Sequence, residues 1–242
     1  MRLKKRLGQH LLSDKNILKK EAEIAGVRGR VVLEIGAGDG RLTEQLLEAG
    51  ATKIYAVEKD RQFAEMLREK FRGDRRAVII ETDFVGMQVP NDVTVVIGNI
   101  PYYISSDIIF RLKDEKIERA VLMVQKEFAE KMVAKPGSSN YGRLSVTSQI
   151  FFDVEIVLRV PAHLFIPKPK VDSALIVLKP RGVKLMKQEE DLIRKLFQHK
   201  NKKIRNILQN ADLKWAKRRP RELSPREVLQ LIKTYSENSS AS

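Results

Sequence analysis

From Val31 onward the apolar residues switch between short continuous runs and helical i, i+3, i+4 spacing, which predicts strands alternating with helices around a largely parallel sheet. Val31-Val32-Leu33-Glu34-Ile35 is a strand-like run ending in glycines, and Leu42, Leu46 and Leu47 then recur on one helical face as far as Gly50. Lys53–Val57 reads as a second strand, followed by an amphipathic helix through Phe63, Met66, Leu67 and Phe71. Ala77–Ile80, Val93–Ile97 and Ala120–Val124 supply three more strands, and the apolar, β-branched character of Val93–Ile97 calls for burial on both faces. After a helix near Gly142–Phe152, the runs Val154–Val160 and Val171–Leu178 form a late pair joined by the proline-rich loop Pro161–Pro169. Such a pair is expected to extend the sheet with an antiparallel strand.

Pro180-Arg181-Gly182 breaks this pattern and predicts a boundary between a domain over 1–180 and a smaller one over 181–242. Beyond it come helical segments near Lys187–His199, Lys202–Gln209 and Ser224–Tyr235, with Ser224 and Glu227 spaced as a capping box. The polar tail Glu237–Ser242 predicts a frayed end.

Charge changes the picture through its distribution. The 242 residues carry 46 Lys and Arg against 31 Asp and Glu, a formal charge of +15. Residues 1–30 hold nine basic and three acidic side chains, residues 181–242 hold sixteen and seven, and the stretch between them is neutral. A neutral body flanked by basic ends points to a polyanionic partner. The chain has no cysteine, which excludes disulfides, thiolate metal sites and cysteine nucleophiles and suits a reducing compartment, the cytoplasm. No apolar run approaches the length of a membrane span, and no secretory leader is recognisable, so no membrane partner is expected. His10, His163 and His199 are too far apart to suggest a metal site.

Gly36-Ala37-Gly38-Asp39-Gly40 joins the first strand to the first helix, where backbone can approach a ligand at a helix N-terminus. A dinucleotide fingerprint would place glycine three positions after Gly38, but Arg41 stands there. Glu34 and Asp39 bracket the loop; they would repel a pyrophosphate and tolerate ammonium and sulfonium charges, so S-adenosylmethionine suits the loop better than a dinucleotide. Glu58 ends the second strand, where a carboxylate can accept both ribose hydroxyls. Asp83 follows the third, where it can accept from an adenine amino group. Three acids at successive strand ends match the rule that open α/β sheets bind ligands outside the carboxyl ends of their strands.

Gly98-Asn99-Ile100-Pro101-Tyr102 follows the fourth strand. Adenine N6 is a poor nucleophile because its lone pair is delocalised into the ring. Acceptors such as Asn99 Oδ1 and the carbonyl of Ile100 or Pro101 can hold the N6 hydrogens and aim that lone pair at a methyl group. Pro101 stiffens the turn, and Tyr102 offers a face for a flipped base.

These motifs resemble the KsgA-type ribosomal RNA adenine dimethyltransferases, and especially their archaeal members. The resemblance spans Gly8-Gln9-His10-Leu11-Leu12, Leu33-Glu34-Ile35-Gly36-Ala37-Gly38, Val57-Glu58, Thr82-Asp83-Phe84, Asn99-Ile100-Pro101-Tyr102 and Phe165-Ile166-Pro167-Lys168-Pro169-Lys170-Val171-Asp172-Ser173. It implies a class I, Rossmann-like α/β fold with a mostly parallel seven-stranded sheet containing one antiparallel strand, plus a small C-terminal helical domain. It also implies S-adenosylmethionine as cofactor, with residues 1–30 as a lid in which Gln9, His10 and Leu12 contact it. By the same resemblance Gly36, Gly38, Glu58, Asp83 and Asn99 bind the cofactor, and Tyr102 and Phe165 sandwich the target adenine. His199–Asn206 resembles the family's basic RNA-binding helix, nominating Lys200, Lys202, Lys203 and Arg205. Leu11 and Tyr103 depart from the family, which more often has phenylalanine and asparagine there.

The implied activity is dimethylation of N6 on two adjacent adenines near the 3′ end of small-subunit ribosomal RNA, by a monomer acting on an immature subunit. Two alternatives stay open: a large-subunit ribosomal RNA adenine methyltransferase of the antibiotic-resistance type, and a non-enzymatic nucleic-acid-binding assembly factor. A DNA adenine methyltransferase is a weaker rival, because its motif more often begins Asp-Pro-Pro or Asn-Pro-Pro.

Overall fold

The computed structural model describes residues 10–209 and 212–240. Its strands are β1 (Leu11–Leu12), β2 (Val31–Ile35), β3 (Lys53–Glu58), β4 (Ala77–Glu81), β5 (Val95–Asn99), β6 (Arg119–Gln125), β7 (Phe152–Val160), β8 (Phe165–Ile166) and β9 (Ser173–Pro180). Seven of them form one sheet in the order β4-β3-β2-β5-β6-β9-β7. The pairs from β4 through β6 are parallel, whereas β9 runs antiparallel to β6 with Leu122 opposite Ile176. The late pair of strands thus enters the sheet as expected, with the antiparallel strand inserted beside β6.

Parallel register brings the carboxyl ends of the strands together: Ile35 lies opposite Val57, and Asn99 opposite Met123. Strand order runs one way from β2 through β3 to β4 and the other way through β5 to β6, so the crevice above β2 and β5 is a topological switch point. The uninterrupted apolar run of β5 is buried, as its β-branched character requires.

The proposed lid holds more structure than its charge suggested. From Lys15 to Ala25 the chain forms α1, capped by Asp14 Oδ1, which accepts from the N–H groups of Asn16 and Ile17 at 2.8 and 3.0 Å. Gly26 ends it in a left-handed conformation and donates to the carbonyls of Ala22 and Glu23. Leu18, Glu21, Ala22 and Ala25 form its buried stripe. Ahead of it, β1 pairs with β8, Leu12 lying opposite Phe165.

Three further helices follow the strands: α2 (Arg41–Glu48), α3 (Arg61–Lys70) and α4 (Ser105–Leu112). Later come α5 (Lys126–Met132), α6 (Arg143–Phe151), α7 (Lys187–Gln198), α8 (Leu213–Ala216) and α9 (Pro225–Ser240). Among the described residues, no helix is long and apolar enough to cross a membrane.

The chain divides into two compact units, one running through Lys126 and resuming over Glu155–Pro180, the other made of Glu127–Val154 and the residues from Arg181 on. The second unit therefore also takes in a segment that the sequence pattern left with the first. Tyr141 explains why. Its side chain is fully buried, its hydroxyl donates to Leu223 O at 2.7 Å, and its ring meets the edge of Phe197 at 5.9 Å.

The helix expected over Lys202–Gln209 is absent. Lys202 N–H turns back to His199 O, Lys203 is extended, and Ile204 N–H donates to Arg218 O at 2.9 Å, leaving a single 3₁₀ turn over Ile204–Asn206. The extended Lys203 and the tie from Ile204 to Arg218 fix this stretch outside helical geometry. The capping box at α9 forms as expected, Ser224 N–H donating to Glu227 Oε2 at 2.8 Å and Glu227 N–H to Ser224 Oγ at 3.3 Å. The backbone of α9 runs on to Ser240, into the stretch Glu237–Ser242 that the sequence predicts as frayed.

Candidate active site

The loop after β2 sits at the switch point and leads into α2 through Gly40, which offers no side-chain cap, while Arg41 N–H donates to Asp39 Oδ1 at 3.4 Å. Gly38 is left-handed (φ 54°), and a Cβ there would lie 2.9 Å from Leu11 Cδ2. Chain from β1 thus lies directly over the loop, and the left-handed backbone at Gly38 favours glycine there. Gly36 lines the same space, near the backbone oxygen of Asn99.

Glu58, at the end of β3, is nearly buried and reaches back into this loop. Its Oε2 accepts from Gly38 N–H at 2.9 Å and its Oε1 from Asp60 N–H at 2.8 Å. Burial pushes its carboxyl up, while those two backbone donors oppose the shift. Each oxygen keeps a lone pair for a ribose hydroxyl. Asp83 is more exposed; Lys59 Nζ lies 2.6 Å from Oδ2 and holds its carboxyl below the usual range. Glu34 is almost fully buried, accepts from Thr43 Oγ1 at 2.6 Å, and is pushed up to about 8, first by burial and then by the negative charges of Glu58 and Asp39.

Asn99 ends β5 with Oδ1 buried and without a hydrogen-bond partner in the protein. Pro101 follows in extended geometry, and its carbonyl accepts from Ile104 N–H at 3.2 Å, closing a 3₁₀ turn. Tyr102 Oη lies 2.7 Å from Ser173 Oγ. One cavity is lined by Gly36, Gly38, Glu58, Asp83, Asn99, Pro101, Tyr102 and Phe165, together with His10. An adjoining cavity shares His10, Gly36 and Asn99 and adds Leu12, Glu34, Ala37 and Asp39. Residues nominated from four strand ends thus meet around one crevice, with Asn99 common to both halves.

The crevice suits S-adenosylmethionine in shape and charge. Glu34 is buried and Asp39 half-buried beside the glycine loop, Glu58 lines the neighbouring stretch, and the Asn99 Oδ1 acceptor has no partner in the protein. Gln9 lies outside the described residues. Phe165 is buried at the cavity wall and pairs through β8 with Leu12. Two contacts were not foreseen: the His10 ring stacks on Tyr102 at 5.9 Å and 22°, and His10 Nδ1 lies 2.6 Å from Pro167 O. Glu21 was also missed, because its carboxylate sits in the buried stripe of a helix that the charge reading did not resolve.

Of the four basic residues nominated for RNA, Lys202 and Arg205 are exposed and Lys203 is partly so. Lys200 differs. Its Nζ donates to Tyr141 O at 2.7 Å and lies 3.4 Å from Ser139 O, so it is tied to backbone instead of standing free for phosphate.

Comparisons with known proteins place the chain in a family. The family model described as "Ribosomal RNA adenine dimethylase" matches residues 1–234. A curated relative, "Probable ribosomal RNA small subunit methyltransferase A" of Methanopyrus kandleri, is 42% identical over 236 residues, covering 95% of this chain and 84% of its own. The "Ribosomal RNA small subunit methyltransferase A" of Gloeobacter violaceus is 39% identical, covering 84% and 78%. Among solved structures, a dimethyladenosine transferase from Plasmodium falciparum superposes with a TM-score of 0.86 at 29% identity, covering 95% of this chain and 98% of that one. The 23S rRNA methyltransferase ErmE gives 0.74 at 28% identity, covering 93% and 99%.

Proposed function

This chain belongs to the ribosomal RNA adenine dimethylase family, and we propose that it transfers two methyl groups to N6 of each of two adjacent adenines near the 3′ end of small-subunit ribosomal RNA. S-adenosylmethionine is the cofactor and supplies an electrophilic methyl group on its sulfonium. The observation that carries the reading is the buried, unpartnered Asn99 Oδ1 at the junction of the two cavities, an acceptor placed where an adenine amine would meet the methyl donor.

The remaining residues take roles set by position. Gly36 and Gly38 admit the cofactor's methionyl end, Glu58 accepts the ribose hydroxyls, and Asp83 accepts from the cofactor's adenine. His10, Leu12 and, by resemblance, Gln9 close over it. Asn99 and the Ile100 carbonyl draw the N6 hydrogens, and Pro101 holds that turn. Tyr102 and Phe165 take the flipped base between them, which requires His10 to leave the face of Tyr102. The methylated amine is acidic enough to lose its proton to water, so no general base is required.

Lys202, Lys203 and Arg205 bind phosphate without reading sequence, and Lys200 supports them by holding the segment to Tyr141. The enzyme works as a cytoplasmic monomer on an immature small subunit. A relative at 42% identity carries a small-subunit name, against 28% for the large-subunit enzyme, which favours the small subunit. Immature small subunits incubated with the protein and labelled cofactor should carry label in two adjacent adenines. Label confined to large-subunit RNA, or absent from RNA altogether, would overturn the reading.

A further inference from the structure

Glu21 is the one acid in the buried stripe of α1, whose other members are Leu18, Ala22 and Ala25. It is completely buried, and neither of its carboxylate oxygens has a hydrogen-bond partner. Its neighbour is the side-chain amide of Asn99, whose Oδ1 is also buried and unpartnered. An isolated carboxyl in an apolar environment carries a cost that a leucine at this position would avoid. The two unsatisfied groups are adjacent, and one of them is at the proposed reacting centre.

We propose that Glu21 is a positioning residue for Asn99: its carboxylate accepts a hydrogen bond from Asn99 Nδ2 and thereby turns Oδ1 toward the adenine amine. The proposal rests on the methyltransferase reading above and deepens it. The Asn99 amide has two ends, a donor and an acceptor, and the reaction needs the acceptor facing the substrate. A carboxylate can engage only the donor end, so it selects the productive orientation. A protonated Glu21 would instead donate to Oδ1 and compete with the adenine amine for the same lone pairs.

Protonation is therefore part of the device. Burial pushes Glu21 up to about 8, the Asn99 amide opposes that shift, and Glu34 reinforces it. The groups facing Glu21 are Asn99 at the end of β5 and Glu34 on β2, the latter itself under the influence of Thr43, Glu58, Asp39 and Lys70. Helix α1 packs on α2 and β6, and its stripe residues Leu18, Ala22 and Ala25 belong to the main apolar core. A cofactor bringing ammonium and sulfonium charges into the adjoining cavity favours the ionised carboxylates and, with them, the productive amide.

Two variants and two readouts test this. Glu21→Leu should melt at a higher temperature than the wild type, yet its single-turnover methylation should fall by about tenfold or more, with KM for cofactor within about threefold. Glu21→Gln keeps an acceptor and should retain the rate within about threefold, while the acid limb of its pH profile moves to lower pH, because the group that titrates beside Asn99 is gone. The second readout needs no RNA. In cofactor-bound protein, the Asn99 side-chain amide resonances should shift with pH in the wild type and stay constant in Glu21→Leu. Undiminished turnover in Glu21→Leu, equal loss in both variants, or an identical amide titration in wild type and Glu21→Leu would overturn the proposal. Failure of the wild type to methylate RNA would refute the functional reading, and the amide titration would still decide the role of Glu21.

Discussion

Gly98→Ala tests how tightly the reacting turn is held by the sheet beneath it. A Cβ built on Gly98 would stand 2.4 Å from Ile35 O and 3.2 Å from both Ile35 C and Cβ. Its nearest neighbour is backbone in β2, so no rotamer change can relieve the overlap. Restoring an ordinary contact of about 3.5 Å requires β5 and β2 to separate by about 1 Å at this point. Overpacking of this kind costs about 1–3 kcal/mol, which for a chain of this size lowers the melting temperature by about 3–10 °C. Asn99 is the next residue, so most of that displacement reaches the acceptor, and a 1 Å misplacement of a reacting group costs roughly 100-fold in rate. Thermal melts and single-turnover methylation measure the two effects separately. Gly73→Ala is the control, since nothing lies within 4 Å of its Cβ position, and it should leave both unchanged. Gly98→Ala with a melting temperature and rate like those of the control would refute the claim that close approach of β2 and β5 sets the position of Asn99.

Asn99→Ala should abolish methyl transfer while leaving RNA affinity within about threefold, read by filter binding beside the methylation assay; retained turnover would remove Asn99 from its role. Glu21 and Glu34, raised to about 8 from 4.5, keep protons in the folded chain that the unfolded chain has lost. Stability therefore falls as pH rises from about 4.5 through about 8, so cofactor-free protein should melt higher at about pH 6 than at about pH 8.5, with a smaller difference in Glu21→Leu. Glu227, lowered to about 2 chiefly by Arg218, acts in the opposite sense: its contribution is complete above about 4.5 and is lost as pH falls toward about 2. Its Gln variant should flatten the acid side of the melting curve, and an unchanged acid side would refute that assignment. Neutralising Lys202, Lys203 and Arg205 together should weaken RNA binding and flatten its salt dependence, whereas Lys200→Met should lower the melting temperature and hardly alter the salt slope. A steep slope change from Lys200→Met alone would return that side chain to the phosphate-binding surface.

The sheet was legible because its signal is local. Strands β2 through β6 are short, largely apolar runs, each expected to within two residues of its observed start, whereas the two-residue strands β1 and β8 have no such run and were not expected. The C-terminal segments were less so, for reasons that lie far away in the chain. Lys202–Gln209 has helical composition, yet Ile204 N–H is claimed by Arg218 O. Likewise, Tyr141 looks like any residue ahead of α6 until its hydroxyl is seen on Leu223 O, 82 residues away. No period in the sequence encodes either contact.

The site divides in the same way. Gly36, Glu58, Asp83 and Asn99 could be nominated because a parallel sheet places every strand end on one edge, so a topology read from the sequence already brings them together. Lys200 could not be separated from Lys202, Lys203 and Arg205, since a charge count does not show which ammonium has found a carbonyl. Glu21 was hidden by the same limit: it entered only the charge count of residues 1–30, although α1 buries it beside Asn99. The useful signal was the spacing of Leu18, Ala22 and Ala25, which mark the buried face of a helix and leave Glu21 standing on it. A carboxylate on an apolar stripe is either a defect or a part of the chemistry. The orphaned Oδ1 of Asn99 next to it favours the second, because a merely tolerated defect would have no reason to stand beside an acceptor the reaction requires.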